Sequence, residues 1–278
     1  MNRPSQLVVF SDLDGTLLDH DTYSWDAARP ALEVLREHDI PLVAVSSKTR
    51  AELLSLRAAL CNHHPYIVEN GAATYIPHGY FAGLSHAGSG NEEHAISDGP
   101  SRETLQGALR RARAEGDFRF RSFAELGTSE IARLTGLSSA AAGRANNRAA
   151  SEPVLWQDTE HRLREFSTAL FESGLRCVRG GRFVHVMGQF DKSDSVARLV
   201  GLYAHKFAAA KILTVALGDG PNDLQMLAGA DIAVVVRGEH PHAMPLESAS
   251  RVIRTTAPGP VGWNEAMLEI FSEFLAAN

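Results

Sequence analysis

Short apolar runs that each end in a polar cluster restrict the fold of this chain more than any other feature. Leu7-Val8-Val9-Phe10 leads into Asp12-Leu13-Asp14-Gly15-Thr16, Leu42 to Val45 into Ser46-Ser47-Lys48, and Ile212 to Leu217 into Gly218-Asp219-Gly220-Pro221-Asn222-Asp223. A fourth cluster centres on Lys192. In open parallel sheets ligands gather beyond the carboxyl ends of the strands, where three of these clusters fall.

After the strand at 7–10 the patterns give a helix at 27–37, a strand at 42–45, a helix at 50–60 and a strand at 66–68. From Lys192 they give a helix at 195–206, strands at 212–217 and 232–236 around a helix at 222–228, and a last helix within 261–274. This alternation predicts an α/β fold with a doubly wound, Rossmann-like parallel-sheet core. Between the two blocks the pattern changes. Residues 81–98, rich in Gly, Ser and His, read as a loop or lead-in. Helices follow at 101–114, 128–134, 140–149 and 158–172, the last with Leu163, Phe166 and Leu170 on one stripe, and Gly180-Gly181 separates two strand-like runs as a hairpin turn would. The expected division is a core in two parts, residues 1–82 and 189–278, interrupted by an inserted α+β domain at 83–188.

Asp12 and Asp14, two apart in extended chain, point the same way, so two carboxylates converge at the end of the first run. Beside a hard cation such as Mg²⁺, one carboxylate can attack phosphorus while the other handles the proton, and Asp219 and Asp223 can complete the metal shell. Lys192 supplies a point charge and Ser46 a donor for phosphoryl oxygens, and successive N–H groups around Leu13 to Thr16 can cradle them. Each residue also has a plain reading. Asp-x-Asp-Gly is ordinary turn chemistry, Asp219 and Asp223 can cap a helix starting near Pro221, Lys192 can be a solvated lysine, and Ser46 a satisfied strand-end hydroxyl. A calcium loop is excluded, because the Gly and Glu it needs at loop positions six and twelve are Leu17 and Tyr23.

Together the four clusters resemble the haloacid dehalogenase superfamily of aspartyl-nucleophile phosphatases. The resemblance implies that Asp12 is the nucleophile forming an aspartyl-phosphate, that Asp14 is the general acid/base, and that Ser46 and Lys192 hold the phosphoryl oxygens. It also implies Asp219 and Asp223 as residues serving Mg²⁺ with Asp12, and a metal contact from the backbone carbonyl of Asp14. Three further segments resemble the mannosyl-3-phosphoglycerate phosphatases: Val68-Glu69-Asn70-Gly71-Ala72, Gly181-Arg182-Phe183-Val184-His185 and Gly259-Pro260-Val261-Gly262-Trp263-Asn264. Glu130 to Leu137, followed by Arg148 and Ser151-Glu152-Pro153, is similar to that family's substrate-covering domain. The inserted domain is then similar to the larger caps of the superfamily, and selectivity is expected from cap residues folded over the site. Lys48, Arg148 and Arg182 are candidates for the anionic part of the substrate, with Asn222 as a further substrate contact; the forked donors of arginine suit a glycerate carboxylate. Two departures from the family's pattern are Ser193-Asp194, where glycine is usual, and Ser46, where threonine is common. Asp194 brings negative charge near Lys192.

A chain of 278 residues, 44% hydrophobic and 22% charged, can bury a large core. Its net charge of −6 and lack of a Lys/Arg run argue against nucleic-acid binding, and Arg110-Arg111-Ala112-Arg113 reads as a solvated helix face. Cys61 and Cys177 have no metal-ligand spacing and are expected to be reduced. No signal peptide is read and no run reaches membrane-spanning length, so the expected location is the cytoplasm, with no membrane partner. His63-His64 and His240-Pro241-His242 lack the carboxylate-histidine spacing of a transition-metal site. The expected activity is Mg²⁺-dependent hydrolysis of a small phosphorylated sugar, a glycosyl-3-phosphoglycerate and foremost the mannosyl compound, to the glycosylglycerate. The alternatives are another sugar-phosphate phosphatase, a phosphotransferase with a sugar acceptor, and a non-catalytic phosphometabolite sensor.

Overall fold

In the computed structural model, which describes residues 6–84, 93–97, 99–180, 182–208, 211–238, 244–246 and 249–277, the first apolar run is strand β1 (Gln6–Ser11), and its alternate side chains enter two different cores. Leu7 and Val9 pack with Trp263, Met267, Ile270 and Phe271 on one face. Val8 and Phe10 pack with Leu199, Tyr203, Met226 and Leu227 on the other. Burial on both faces is why the run carries no polar face.

The chain continues through α1 (Arg29–Glu37), β2 (Leu42–Val45), α2 (Arg50–Ala59), β3 (Tyr66–Val68), β4 (Ala73–Ile76) and β5 (His94–Ser97). It then builds α3 (Arg102–Gly116), β6 (Phe120–Ser122), α4 (Phe123–Thr135), α5 (Ser139–Asn146), β7 (Ser151–Trp156), α6 (Glu160–Glu172), β8 (Leu175–Gly180) and β9 (Phe183–Gly188). It returns as α7 (Lys192–Phe207), β10 (Ile212–Gly218), α8 (Leu224–Ala228), β11 (Ile232–Arg237), β12 (Arg251–Pro258) and α9 (Gly259–Ala277).

The larger sheet has eight strands in the order β12-β11-β10-β1-β2-β3-β4-β5. From β12 to β3 every pairing is parallel; β4 and β5 extend the sheet antiparallel. The chain winds outward from β1 in one direction through β2 and β3, and in the other through β10 and β11. The switch point therefore lies at the carboxyl ends of β1, β2 and β10. A second, antiparallel sheet of four strands, β6-β7-β9-β8, is covered by α3 and α6 through Leu105, Leu109, Phe166 and Leu170, and Phe183 from it packs with Phe123, Ile131 and Ala142 of α4 and α5.

The doubly wound α/β core with a cap is the architecture the sequence pattern predicts. Local differences have local causes. The helix read from Thr128 starts five residues earlier in α4, because Gly127 at φ 69° interrupts the helical conformation between the two parts. Residues 94–97, read as loop or lead-in, form the edge strand β5, whose residues alternate between half-buried and exposed. β12, at the opposite edge, alternates in the same way. Edge strands with one wetted face mix polar and apolar residues and lack the signal of a buried run. Gly181, read from the sequence as part of a hairpin turn, and the His240-Pro241-His242 segment lie outside the described residues. Of the other histidine pair, His64 Nδ1 meets Tyr80 Oη at 2.7 Å. Both cysteines are free thiols. No helix among the described residues is long and apolar enough to cross a membrane.

Candidate active site

Parallel pairing of β1 with β10 sets Ser11 beside Leu217, and the Asp12 amide donates to the Leu217 carbonyl at 2.9 Å. Beyond β1 the chain turns back on itself: Gly15 N donates to Leu18 O at 2.9 Å and Thr16 N to Leu13 O at 3.1 Å. These bonds remove the Gly15 and Thr16 amides from the N–H cradle expected around Leu13 to Thr16. Gly15 adopts φ +76°, and a Cβ there would lie 2.7 Å from Asp219 Oδ2, so both backbone and space require glycine. Thr16 Oγ1 donates to Asp219 Oδ1 at 3.0 Å. Sequence reasoning gave the Thr16 side chain no role, although the residue stands inside the first cluster.

Lys192 opens α7, with Asp191 as its N-cap, and its Nζ donates to Asp12 Oδ1 and Asp223 Oδ1, each at 2.6 Å. All three side chains are buried, Lys192 to 1% exposure, which excludes the solvated-lysine reading. Asp223 does also cap, as the plain reading allowed: its Oδ2 accepts from Gly220 N at 3.1 Å. One carboxylate oxygen from each of Asp12, Asp219 and Asp223 lies within 4.8 Å of the others. Asp194 points elsewhere, accepting from the Asp191 amide at 2.9 Å in a capping box, so its charge supports the start of α7.

Burial raises the Asp12 carboxyl well above the ordinary range, with Asp223 adding to the rise and Lys192 opposing it. Burial and then Asp223 push Asp219 up to about 6. Burial acts to lower the pKa of Lys192, but Asp12 and Asp223 outweigh it and hold the ammonium above its usual value. Three crowded carboxylates around one buried ammonium leave an excess of negative charge, and the donors are all oxygen. That set fits a hard divalent cation such as Mg²⁺.

A pH prediction follows from these shifts. A carboxyl whose native pKa exceeds its unfolded value stabilises the fold below the unfolded pKa and loses that contribution as pH rises through the native one. For Asp219 the window runs from 3.8 to about 6. A divalent cation such as Mg²⁺ held by these carboxylates would require the ionised form, so its stabilising effect should grow over the same window. Burial lowers His64 to about 4 and, with Arg148, His185 to about 3, which acts in the opposite sense at these pH values. The histidine contributions cancel in the difference between melting temperatures with Mg²⁺ and with a chelator. That difference is expected to increase from about pH 4.5 to about pH 7; a flat or falling difference would contradict the assignment.

The remaining candidates divide into two groups. Asp14 Oδ1 pairs with Lys48 Nζ at 2.8 Å, and Lys48 also lies 4.9 Å over the Tyr23 ring. Ser46 is buried at the end of β2; its amide donates to Ile67 O at 3.0 Å and its Oγ accepts from Lys48 N at 3.2 Å. Arg148 is buried, and its guanidinium donates to Ser151 Oγ at 2.8 Å, Ala145 O at 3.3 Å and Ser47 O at 2.7 Å. It thus reaches the Ser46–Lys48 loop through backbone. Arg182 is exposed and donates to the Leu134 carbonyl. Asn222 is half-buried in the 3-10 turn Pro221–Asp223. None of these three has a described hydrogen bond or ion pair to Asp12, Asp219 or Lys192. A cleft of about 640 Å³ between α7 and α8 contains none of the candidate residues.

Gly71 governs where α7 begins. At φ +102°, a Cβ there would lie 2.3 Å from the Asp191 carbonyl oxygen, a backbone atom that cannot move without Lys192. Gly71→Ala is expected to cost about 2–4 kcal/mol in denaturant unfolding and to reduce phosphate release. Wild-type stability in that variant would contradict the close approach.

A family model described as haloacid dehalogenase-like hydrolase matches residues 9–83. Over 267 residues the chain is 36% identical to the glucosyl-3-phosphoglycerate/mannosyl-3-phosphoglycerate phosphatase of Methanococcoides burtonii, covering 96% of this chain and 97% of that one. In structure it is similar to a sugar phosphatase of haloacid dehalogenase subclass IIB, at TM-score 0.65 and 18% identity over 95% of this chain and 99% of the other. It is also similar to the sucrose-phosphatase of Synechocystis, at TM-score 0.62 and 16% identity over 97% and 98% of the two chains.

Proposed function

Given that this chain belongs to the haloacid dehalogenase-like hydrolases and is a sugar-phosphate phosphatase, we propose that it hydrolyses a glycosyl-3-phosphoglycerate, foremost the mannosyl compound, to glycosylglycerate and phosphate. The observation that carries the chemistry is the buried Lys192 ammonium, 2.6 Å from both Asp12 and Asp223, with Asp219 alongside. The substrate class rests on the relative at 36% identity.

In this reading Asp12 attacks phosphorus as the ester P–O bond breaks, and Asp14 protonates the departing alkoxide. Asp14 then takes a proton from water, which attacks phosphorus, releases phosphate and restores the Asp12 carboxylate. Asp14 lies outside the Asp12–Lys192–Asp223 group, and its only described ion-pair partner is Lys48. Lys192 and Ser46 hold the phosphoryl oxygens. Asp12, Asp219, Asp223 and the Asp14 backbone carbonyl would hold Mg²⁺, which when bound neutralises negative charge on the phosphoryl group and on Asp12. Lys48, Arg148, Arg182 and Asn222 are the proposed substrate contacts, with residues 83–188, apart from the core-sheet strand β5 (His94–Ser97) within that range, acting as the cap over the two core segments, 1–82 and 189–278. Forked donors from Arg182 suit a glycerate carboxylate.

Phosphate release from mannosyl- and glucosyl-3-phosphoglycerate, sucrose phosphate and hexose phosphates, with and without Mg²⁺, tests the proposal. The glycosyl-phosphoglycerates are expected to give the highest kcat/KM, with phosphate released in step with substrate loss. A preference for sucrose or hexose phosphate would overturn the substrate, and an isomeric phosphate in place of free phosphate would overturn hydrolysis.

A further inference from the structure

The three-residue turn Glu69-Asn70-Gly71 is bonded or packed against three segments that carry candidate site residues. Its amides hold the phosphate-side loop, Glu69 N donating to Lys48 O and Asn70 N to Ser46 O, each at 2.9 Å. Gly71 lies against the Asp191 carbonyl at the start of α7, and Ser195 Oγ donates to Gly71 O at 3.0 Å. The Glu69 carboxylate reaches the cap: Oε1 accepts from Ala149 N at 2.8 Å, and Oε2 from Ala150 N at 3.2 Å and Ser151 Oγ at 2.6 Å. Arg148 Nε lies 3.7 Å from the same Oε2.

We infer that Glu69 is a positioning residue that fixes the cap segment 148–151 in register with the Ser46–Lys48 loop, and so determines how cap residues meet a bound sugar ester. The inference rests on the phosphatase reading of the site. A carboxylate at 2% exposure is tolerated in a fold only when its oxygens are paired, and here each described hydrogen bond to them comes from the cap. Its own backbone, by contrast, is bonded to the core loop. The residue is also held at φ 51°, next to Asn70 at φ 59°, a left-handed pair uncommon outside glycine and kept only where surrounding contacts impose it. Two further bonds run parallel to the carboxylate, Arg148 Nη2 to Ser47 O at 2.7 Å and Thr49 Oγ1 to Arg144 O at 2.9 Å. The cap therefore meets the core at the loop that holds Ser46.

A small aryl phosphate offers the cap no sugar to hold, so on this inference its hydrolysis depends on the core residues alone, whereas that of a sugar phosphate also needs the cap in place. The test measures kcat and KM for wild type, Glu69→Gln and Ser151→Ala on p-nitrophenyl phosphate and on whichever sugar phosphate the wild type hydrolyses best. Melting temperature and amide exchange at 149–151 are recorded in parallel. Glu69→Gln places amide hydrogens among cap donors; kcat/KM on the sugar phosphate is expected to fall on the order of 100-fold. Ser151→Ala, which removes one hydrogen bond and remains informative should the first variant not fold, is expected to lose about tenfold. Both should stay within about threefold of wild type on the aryl ester, the size of a change remote from the chemistry. Amides 149–151 should exchange faster in Glu69→Gln. Equal losses on both esters, or no loss on either, would overturn the inference. A wild type that prefers a different sugar phosphate corrects the proposed substrate and leaves this comparison standing.

Discussion

Asp12→Asn is expected to lower kcat on the order of 10⁴-fold or more while the protein remains folded. The substitution keeps the shape of the side chain and removes the nucleophilic oxygen. It also removes one of three carboxylates crowded within 4.8 Å, the one that burial and then Asp223 push well above the ordinary range. A raised carboxyl costs stability progressively as pH rises from its unfolded pKa toward its native one. The metal-free variant should therefore be at least as stable as wild type at neutral pH, with the gap closing as pH falls and the wild-type carboxyl protonates. Phosphate release and denaturant unfolding in a chelator check the two halves of this expectation. A variant that turns over near the wild-type rate removes Asp12 from the nucleophile's role.

Lys192→Met is expected to abolish activity as well, but for a different reason and with the opposite effect on stability. The ammonium is the cation that pairs with both Asp12 and Asp223, and all three groups are buried. Methionine fills the stem and leaves two buried carboxylates unpaired, a situation that typically costs about 3–5 kcal/mol. The loss should shrink at low pH, where the carboxyls protonate, and Mg²⁺ should raise the melting temperature more in this variant than in wild type. Chemical denaturation across pH, with and without Mg²⁺, reads all three effects. A Lys192→Met protein as stable as wild type in chelator at neutral pH would contradict the buried charge arrangement.

The core was legible because its strands are buried on both faces. β2 and β3 occupy the residues expected from their apolar runs, and β1 and β10 differ only at their ends. Asp12 and Asp223 were legible for a related reason, since residues just beyond the ends of such strands converge at the switch point; Lys192, which opens α7, was legible through the resemblance of the four clusters taken together. The edge strands β5 and β12 were not, because a strand with one wetted face has no unbroken apolar run. Glu69 carried no signal as a cap contact: its side chain meets Ala149, Ala150 and Ser151, about eighty positions away, through backbone amides and a hydroxyl that no spacing rule marks. Arg148 and Arg182 illustrate the same limit. Their type suits an anionic substrate, but the positions they occupy follow from cap packing, which places one beneath Ser47 and the other against Leu134.

The most direct test of phosphoryl transfer to Asp12 is acid quenching of the protein during turnover, in the presence of Mg²⁺, followed by mass analysis of its peptides. The mass of one phosphoryl group is expected on the peptide that contains Asp12, fragmentation should place it on Asp12 and not on Asp14, and it should be missing from Asp12→Asn. A phosphoryl group on any other residue, or phosphate release by Asp12→Asn at the wild-type rate, would contradict the account.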